Sequence, residues 1–289
     1  MDIANDIKRT FKEGSVLTRL IYINLGVFLT VKLVAVIFYL AGQPFSLVPW
    51  LAIPSRIDEL VLRPWTPLTY MFLHEGFLHI LFNILGLYWF GKLFLYHFEG
   101  QKLLSVYLLG GLAGALVYGV AFNLSPAFES VRGLMLGASA SVFAILVAVA
   151  AYDPNREIHL FFIGRFQLKY VAAFYVVLSI ISISTDNPGG NLAHVGGAAW
   201  GWLYVYQLRR GKDWGAGLVK LIDKIPDLFQ SENYMKVTYK KPPRDDYEYN
   251  RQQNVKQDEI NRILDKIAKS GYESLTKKEK EILFKQGKS

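Results

Sequence analysis

Ser139 stands in Met135-Leu136-Gly137-Ala138-Ser139-Ala140-Ser141-Val142-Phe143, where a long apolar run begins behind the polar break of Ser125 to Gly133. A serine in the first turn of a membrane helix sits among backbone N–H groups that lack an intrahelical partner. Those donors, with the positive end of the helix dipole, can stabilise an anion forming on whatever the serine attacks. The competing reading is structural: Gly137, Ala138 and Ala140 are small enough to serve a close helix–helix contact. His194 lies in Ala193-His194-Val195-Gly196-Gly197-Ala198-Ala199-Trp200-Gly201, where Gly197 and Gly201 allow a neighbouring helix to come close. If that neighbour carries Ser139, the imidazole reaches the hydroxyl, which is the minimum equipment for acyl transfer. An unperturbed pKa of about 6.5 suits histidine to take and return the proton near neutrality. His79 and Asn83, spaced i, i+4, share one helical face, and both can donate hydrogen bonds toward a common point. Ser141 points about 200° round the helix from Ser139, which makes Ser139 the better candidate.

These residues need elements to hold them at one depth. The chain of 289 residues is 52% hydrophobic and only 19% charged, too apolar for an ordinary soluble domain. Six apolar runs approach the length of about 20 residues that a bilayer span requires. They read as Leu17 to Ala41, Glu75 to Tyr96, Leu103 to Leu124, Gly137 to just before Asp153, Leu168 to Ile183, and from after Asn191 to Leu208. The first is too long for a signal-peptide core and lacks a convincing cleavage site, so it reads as a retained span. The connection from Gln43 to Pro67, with five prolines, Trp50 and Trp65, is too apolar for a free linker and is expected at the membrane interface. An even number of spans puts both termini on one side. Twelve lysines and arginines, from Lys8 to Lys212, flank that side, against Arg56, Arg63 and Arg132 opposite, so the termini are expected in the cytoplasm. Spans two, four and six then all begin near the outer surface, which brings His79, Asn83, Ser139 and His194 to one depth. The formal charge of +8 follows from this flanking pattern, and no nucleic-acid partner is implied.

With those motifs in order, the chain resembles the rhomboid family of intramembrane serine proteases. The family's glycine-x-serine at the start of a fourth span matches Gly137-Ala138-Ser139. Its histidine-x-x-x-asparagine in the second span matches His79-Ile80-Leu81-Phe82-Asn83, and its sixth-span histidine with following glycines matches His194, Gly197 and Gly201. The resemblance covers roughly residues 15 to 210. It implies an all-α, polytopic six-helix membrane bundle in a bacterial inner (plasma) membrane, with membrane proteins bearing a transmembrane helix as substrates. It further implies Ser139 as nucleophile and His194 as base and acid, with an oxyanion hole from His79, Asn83 and the Ser139 N–H. Phe143 falls where the family often has an aromatic ring packed on the histidine. Ala140 departs from the glycine that usually follows the serine. His74 resembles a position lining the polar cavity; it either helps hold water near the pair or sits in the interface. The alternative function is a weak or inactive relative that binds membrane partners.

No metal or cofactor is implied: His74, His79 and His194 have no carboxylate or cysteine placed to complete a zinc site, and the chain contains no cysteine. The family resembled uses a pair without a carboxylate; Asp186, in the loop before span six, is a candidate for orienting His194. The expected organisation is a cytoplasmic lead over 1–16, the membrane domain over 17–208, an interfacial amphipathic helix over 209–230, a linker over 231–256 and a small helical cytoplasmic tail over 257–289. In that tail Gly271 stops one helix, and the Thr276–Glu279 capping box opens another. The tail's expected role is to dock a cytoplasmic partner or to steady the protein at the bilayer.

Overall fold

The structure is a computed structural model that describes residues 3–160, 164–229 and 259–286. The chain divides into two units, Met1–Gln230 and Ser231–Ser289. In the first, six helices follow the six apolar runs: α1 Val16–Leu40, α2 Phe77–His97, α3 Gly100–Leu124, α4 Ser139–Tyr152, α5 Leu168–Ser182 and α6 Pro188–Leu208. By length and composition α1, α2 and α3 are each able to cross a membrane, and α4 and α5 are shorter apolar helices. The protein is a multi-pass helical membrane bundle.

α4 is buried on every side, with nine of its 14 residues out of contact with the surroundings, so it is the centre of the bundle. Its C-terminus meets the ends of α2 and α6 at a polar level. His97 Nε2 lies 3.3 Å from Asp153 Oδ2, and Arg209 donates to the Tyr152 carbonyl at 2.9 Å. Both α2 and α6 have 21 residues, seven more than α4. At about 1.5 Å per residue, α4 therefore starts about 10 Å deeper than its neighbours at the other end. Ser139 sits at that recessed start.

Small residues set the packing of α4. A methyl group at Gly197 or Gly201 would run into the carbonyls of Ala140 and Ala144 respectively. On the opposite side a Cβ at Gly114 would lie 2.7 Å from Ala140 Cβ, and one at Gly110 would collide with Ala144. Ala140 and Ala144 are thus held in a slot between four glycines of α3 and α6, with backbones close enough for dispersion to act in place of the hydrophobic effect. α1 is peripheral and largely exposed. Buried Asn24 ties it to α3, its Nδ2 donating to Tyr107 Oη at 3.1 Å.

The connection between α1 and α2 is folded rather than loose. It contains Val48–Leu51, Ile57–Leu62 and Thr66–Thr69 as short helices and a 3-10 turn at Tyr70–Phe72. β1 (Ile53–Pro54) pairs antiparallel with β2 (Leu134–Met135), just before the serine. Two further bonds join the same segments, from Ser55 N–H to the Gly133 carbonyl at 3.0 Å and from Gly133 N–H to Ser55 Oγ at 3.2 Å. Tyr70 Oη donates to Gly111 at 2.7 Å and Tyr107 Oη to Met71 at 2.8 Å, which anchors the connection to α3. A second hairpin, β3 (Glu157–Leu160) with β4 (Gly164–Gln167), joins α4 to α5. These two ladders are additions to a fold expected to be wholly helical.

Two boundaries differ from the sequence reading. α6 begins at Pro188 instead of after Asn191, because Asn187, at φ +43°, caps it by accepting from Gly190 N–H at 3.1 Å, with proline next. The lead over 1–16 contains a helix, Ile3–Glu13. After α6, α7 (Ala216–Phe229) starts behind a turn in which Asp213 accepts from Gly215 N–H at 2.9 Å, and Leu221 on it is exposed.

In the second unit, a helix over 259–270 ends at Gly271, which has φ +77°. Lys277–Gln286 forms the next helix. Its cap is reciprocal: Glu279 accepts from Thr276 N–H at 2.6 Å, and Thr276 Oγ1 accepts from Glu279 N–H at 3.4 Å. Lys266 Nζ bridges both Glu279 oxygens at 3.0 Å, and Ile263 and Leu275 are buried. The linker expected over 231–256 lies outside the described residues.

Candidate active site

His194 Nε2 lies 2.7 Å from Ser139 Oγ, although 55 residues separate them in the chain. The α4–α6 glycine contact produces this. His194 is three residues before Gly197, on the same face, so the close approach at Ala140 carries the imidazole onto Ser139. Phe143, one turn after the serine, stacks on the His194 ring with centroids 4.3 Å apart and planes 10° from parallel. The other ring nitrogen, Nδ1, lies 3.1 Å from Ser179 Oγ on α5. Asp186 is exposed in the turn before α6, where its carbonyl accepts from Asn191, so it is not the group that faces His194.

The loop that feeds Ser139 is held on both sides. Gly137 has φ +123°, which only glycine adopts without strain, and its N–H donates to the Tyr70 carbonyl at 2.9 Å. It has no room for a side chain in any case: a Cβ would sit 2.7 Å from His79 Nε2 and 3.9 Å from Ser139 Oγ. His79 is therefore against the serine loop. His74 is fully buried beside it, the two rings 5.0 Å apart and edge-on. His74 Nε2 accepts from Ala138 N–H at 3.4 Å, and Nδ1 lies 3.3 Å from the Phe72 carbonyl. His74 is thus a buried link between the α1–α2 connection and the serine loop. Asn83 Nδ2 donates back to the His79 carbonyl at 2.8 Å, leaving its second hydrogen available, and its Oδ1 is buried with no partner among the described residues. The N–H groups of Ser139, Ala140 and Ser141 have no intrahelical carbonyl, since the first such bond runs from Val142 to Ala138 at 3.0 Å. Ser139, His79 and His194 are half-buried, so the cluster is reachable from outside the bundle.

A family model of the Rhomboid domain matches residues 62–211, just over half of the chain, and takes in every one of these residues. The chain belongs to the rhomboid family. This rhomboid is 30% identical over 165 residues to RHOMBOID-like protein 12, mitochondrial, of Arabidopsis thaliana, covering 52% of this chain and 48% of the relative. It is 32% identical over 149 residues to Rhomboid protease GlpG of Serratia proteamaculans, covering 45% of this chain and 52% of that one. The chain thus spans about half the length of the curated relatives it matches. Residues 245–288 match a family of unknown function, DUF6576.

The departure at Ala140 has a structural answer in this rhomboid. Its methyl faces Gly114 on α3 and its carbonyl faces Gly197 on α6, so the extra carbon fills packing space and not the cluster around Ser139 Oγ. Ser141 is fully buried, and its Oγ would lie 2.8 Å from a Cβ at Gly111, away from His194. Sequence reasoning missed Ser179. The available signal was a serine at i+4 from Tyr175, one of two in the apolar run of α5, but helix serines often bond their own backbone, so the residue type alone does not assign a partner.

Proposed function

We propose that this rhomboid is an intramembrane serine endopeptidase. It hydrolyses peptide bonds in or near the outer end of transmembrane helices, with Ser139 as nucleophile and His194 as base and acid. The observation that carries the reading is the 2.7 Å approach of His194 Nε2 to Ser139 Oγ. Ser139 Oγ attacks the scissile carbonyl carbon while its proton passes to Nε2. The oxyanion is met by the Ser139 N–H at the helix start, with His79 and Asn83 as the side-chain donors. Collapse of the tetrahedral adduct breaks the C–N bond, and His194 gives its proton to the departing amine. Water then attacks the acyl-serine with His194 again as base, releasing the acid and restoring Ser139.

The recess of about 10 Å at the start of α4 supports this chemistry, since a cluster below the ends of its neighbouring helices is sheltered yet within reach of water. A substrate helix hides its amides in its own hydrogen bonds. Its outer end must unwind to enter, which favours small or helix-breaking residues there. α5 is the natural side of entry, and Phe174 and Ile181 on it are exposed. The flanking charges support a cytoplasmic position for both termini, and the bacterial inner membrane is the expected location. The tail beyond residue 257 is assigned to a cytoplasmic partner or to steadying the protein at the bilayer.

The test is cleavage of a single-span substrate in proteoliposomes, together with labelling by a fluorophosphonate. Ser139→Ala is expected to abolish both while the protein still folds. Cleavage by that variant at the wild-type rate would show that the nucleophile is another residue. A wild type that neither labels nor cleaves would favour a partner-binding role instead.

A further inference from the structure

In a serine–histidine pair the base must be the right tautomer. For Nε2 to accept the Ser139 proton, the ring hydrogen has to sit on Nδ1, where it needs an acceptor to face. With the hydrogen on Nε2 the ring would donate to Ser139 and leave the hydroxyl inactive. Among the described residues, the side chain that Nδ1 faces is Ser179, whose Oγ is 3.1 Å away and which is 4% exposed. A hydroxyl can accept Nδ1–H as well as donate, and this one is held within reach of the ring. A carboxylate would hold the ring more strongly, but in an apolar bundle it would carry a large desolvation cost that a neutral hydroxyl avoids.

The ring is also fixed mechanically from two directions. Stacking against Phe143 at 4.3 Å sets its plane, and the bond to Ser179 sets its rotation within that plane. Tyr175, one turn before Ser179, meets Phe143 edge-on at 6.2 Å and 80°. One face of α5 thus supports both partners of the stack.

We propose that Ser179 is a positioning residue for His194, holding Nδ1 so that Nε2 is the basic nitrogen aimed at Ser139. The proposal rests on the reading of Ser139 and His194 as the reacting pair. It makes the arrangement a relay of two hydroxyls around one imidazole, with the second hydroxyl supplied by α5. As the ring becomes charged during attack, Nδ1–H donates more strongly to Ser179 Oγ, so the bond tightens in the transition state.

The experiment compares Ser179→Thr with Ser179→Val, which share a shape and differ in the hydroxyl, alongside Ser179→Ala, in the full-length protein in proteoliposomes. Val and Ala are expected to lower kcat about tenfold to a hundredfold, as for loss of one hydrogen bond to a group that becomes charged, with KM within about twofold. Thr is expected to keep at least about a third of the wild-type kcat, because the acceptor remains. Fluorophosphonate labelling of Ser139 should slow in the same order. If Val or Ala retains wild-type kcat, the proposal is overturned. It is equally overturned if Thr falls as far as Val, or if Val loses stability with kcat unchanged, since both point to plain packing between α5 and α6. Failure of the wild type itself to label would instead overturn the protease reading, and this inference with it.

Discussion

Gly197→Ala is the substitution on which the packing argument is most exposed. A Cβ at Gly197 would lie 2.8 Å from the Ala140 carbonyl carbon and 3.1 Å from its Cα, and it would collide with the oxygen. These are backbone atoms, so no rotamer change relieves the clash. Carbon atoms rest at about 3.5–4.0 Å, so α6 and α4 must separate by about 0.7–1.2 Å. His194 is one turn away on the same face of α6 and moves with it. Adding that separation to the 2.7 Å between His194 Nε2 and Ser139 Oγ takes the pair to the limit of a hydrogen bond or past it. A misplacement of about 1 Å at a reacting pair costs about a hundredfold in rate. Overpacking should also destabilise the bundle by about 1–3 kcal/mol. The assay is cleavage of a single-span substrate in proteoliposomes, with unfolding in mixed micelles measured on the same samples. Gly119→Ala in α3 is the control, since a Cβ there meets nothing within 4 Å. It should leave activity unchanged and, by helix propensity, raise stability by up to about 1 kcal/mol. Gly197→Ala cleaving at the wild-type rate would refute the claim that this glycine contact sets the distance between the two side chains.

Asn83→Ala should lower kcat about a hundredfold to a thousandfold with KM little changed, the usual result of removing one oxyanion donor; steady-state kinetics checks it. Tyr107→Phe removes the hydroxyl that joins Asn24 to the Met71 carbonyl in a fully buried position. It should cost about 1–3 kcal/mol of unfolding free energy, because the carbonyl is left without its donor. In the tail, the Thr276 N–H first, and then the Lys266 ammonium, hold the Glu279 carboxyl down at about 2, from an ordinary 4.5. Its folded pKa is depressed, so its contribution to the tail is fully present above about 4.5 and is lost as the pH falls through about 2. Amide exchange in the full chain should show tail protection weakening across that window, and Glu279→Gln should flatten the change.

The six apolar helices were legible in the sequence because they depend on local composition. So were the pairings that a single helix dictates: His79 with Asn83 on one face, and His194 with Gly197 and Gly201 on another. The family resemblance singled out Ser139 and His194 as partners, and they lie 2.7 Å apart. What no single stretch contains is the meeting of distant backbones. The slot of Gly110, Gly114, Gly197 and Gly201 around Ala140 and Ala144 is a property of three helices, and it sets how near the imidazole comes. The α1–α2 connection read as an interfacial stretch of prolines and tryptophans. Only its pairing with Leu134–Met135, the Tyr70 carbonyl and His74 gives it the task of holding the serine loop. Ser179 is one polar residue in an apolar run, indistinguishable by type from a serine that bonds its own helix. Its place opposite Nδ1 follows from how α5 rests on α6, because side-chain pairing across helices is decided by packing and not by periodicity.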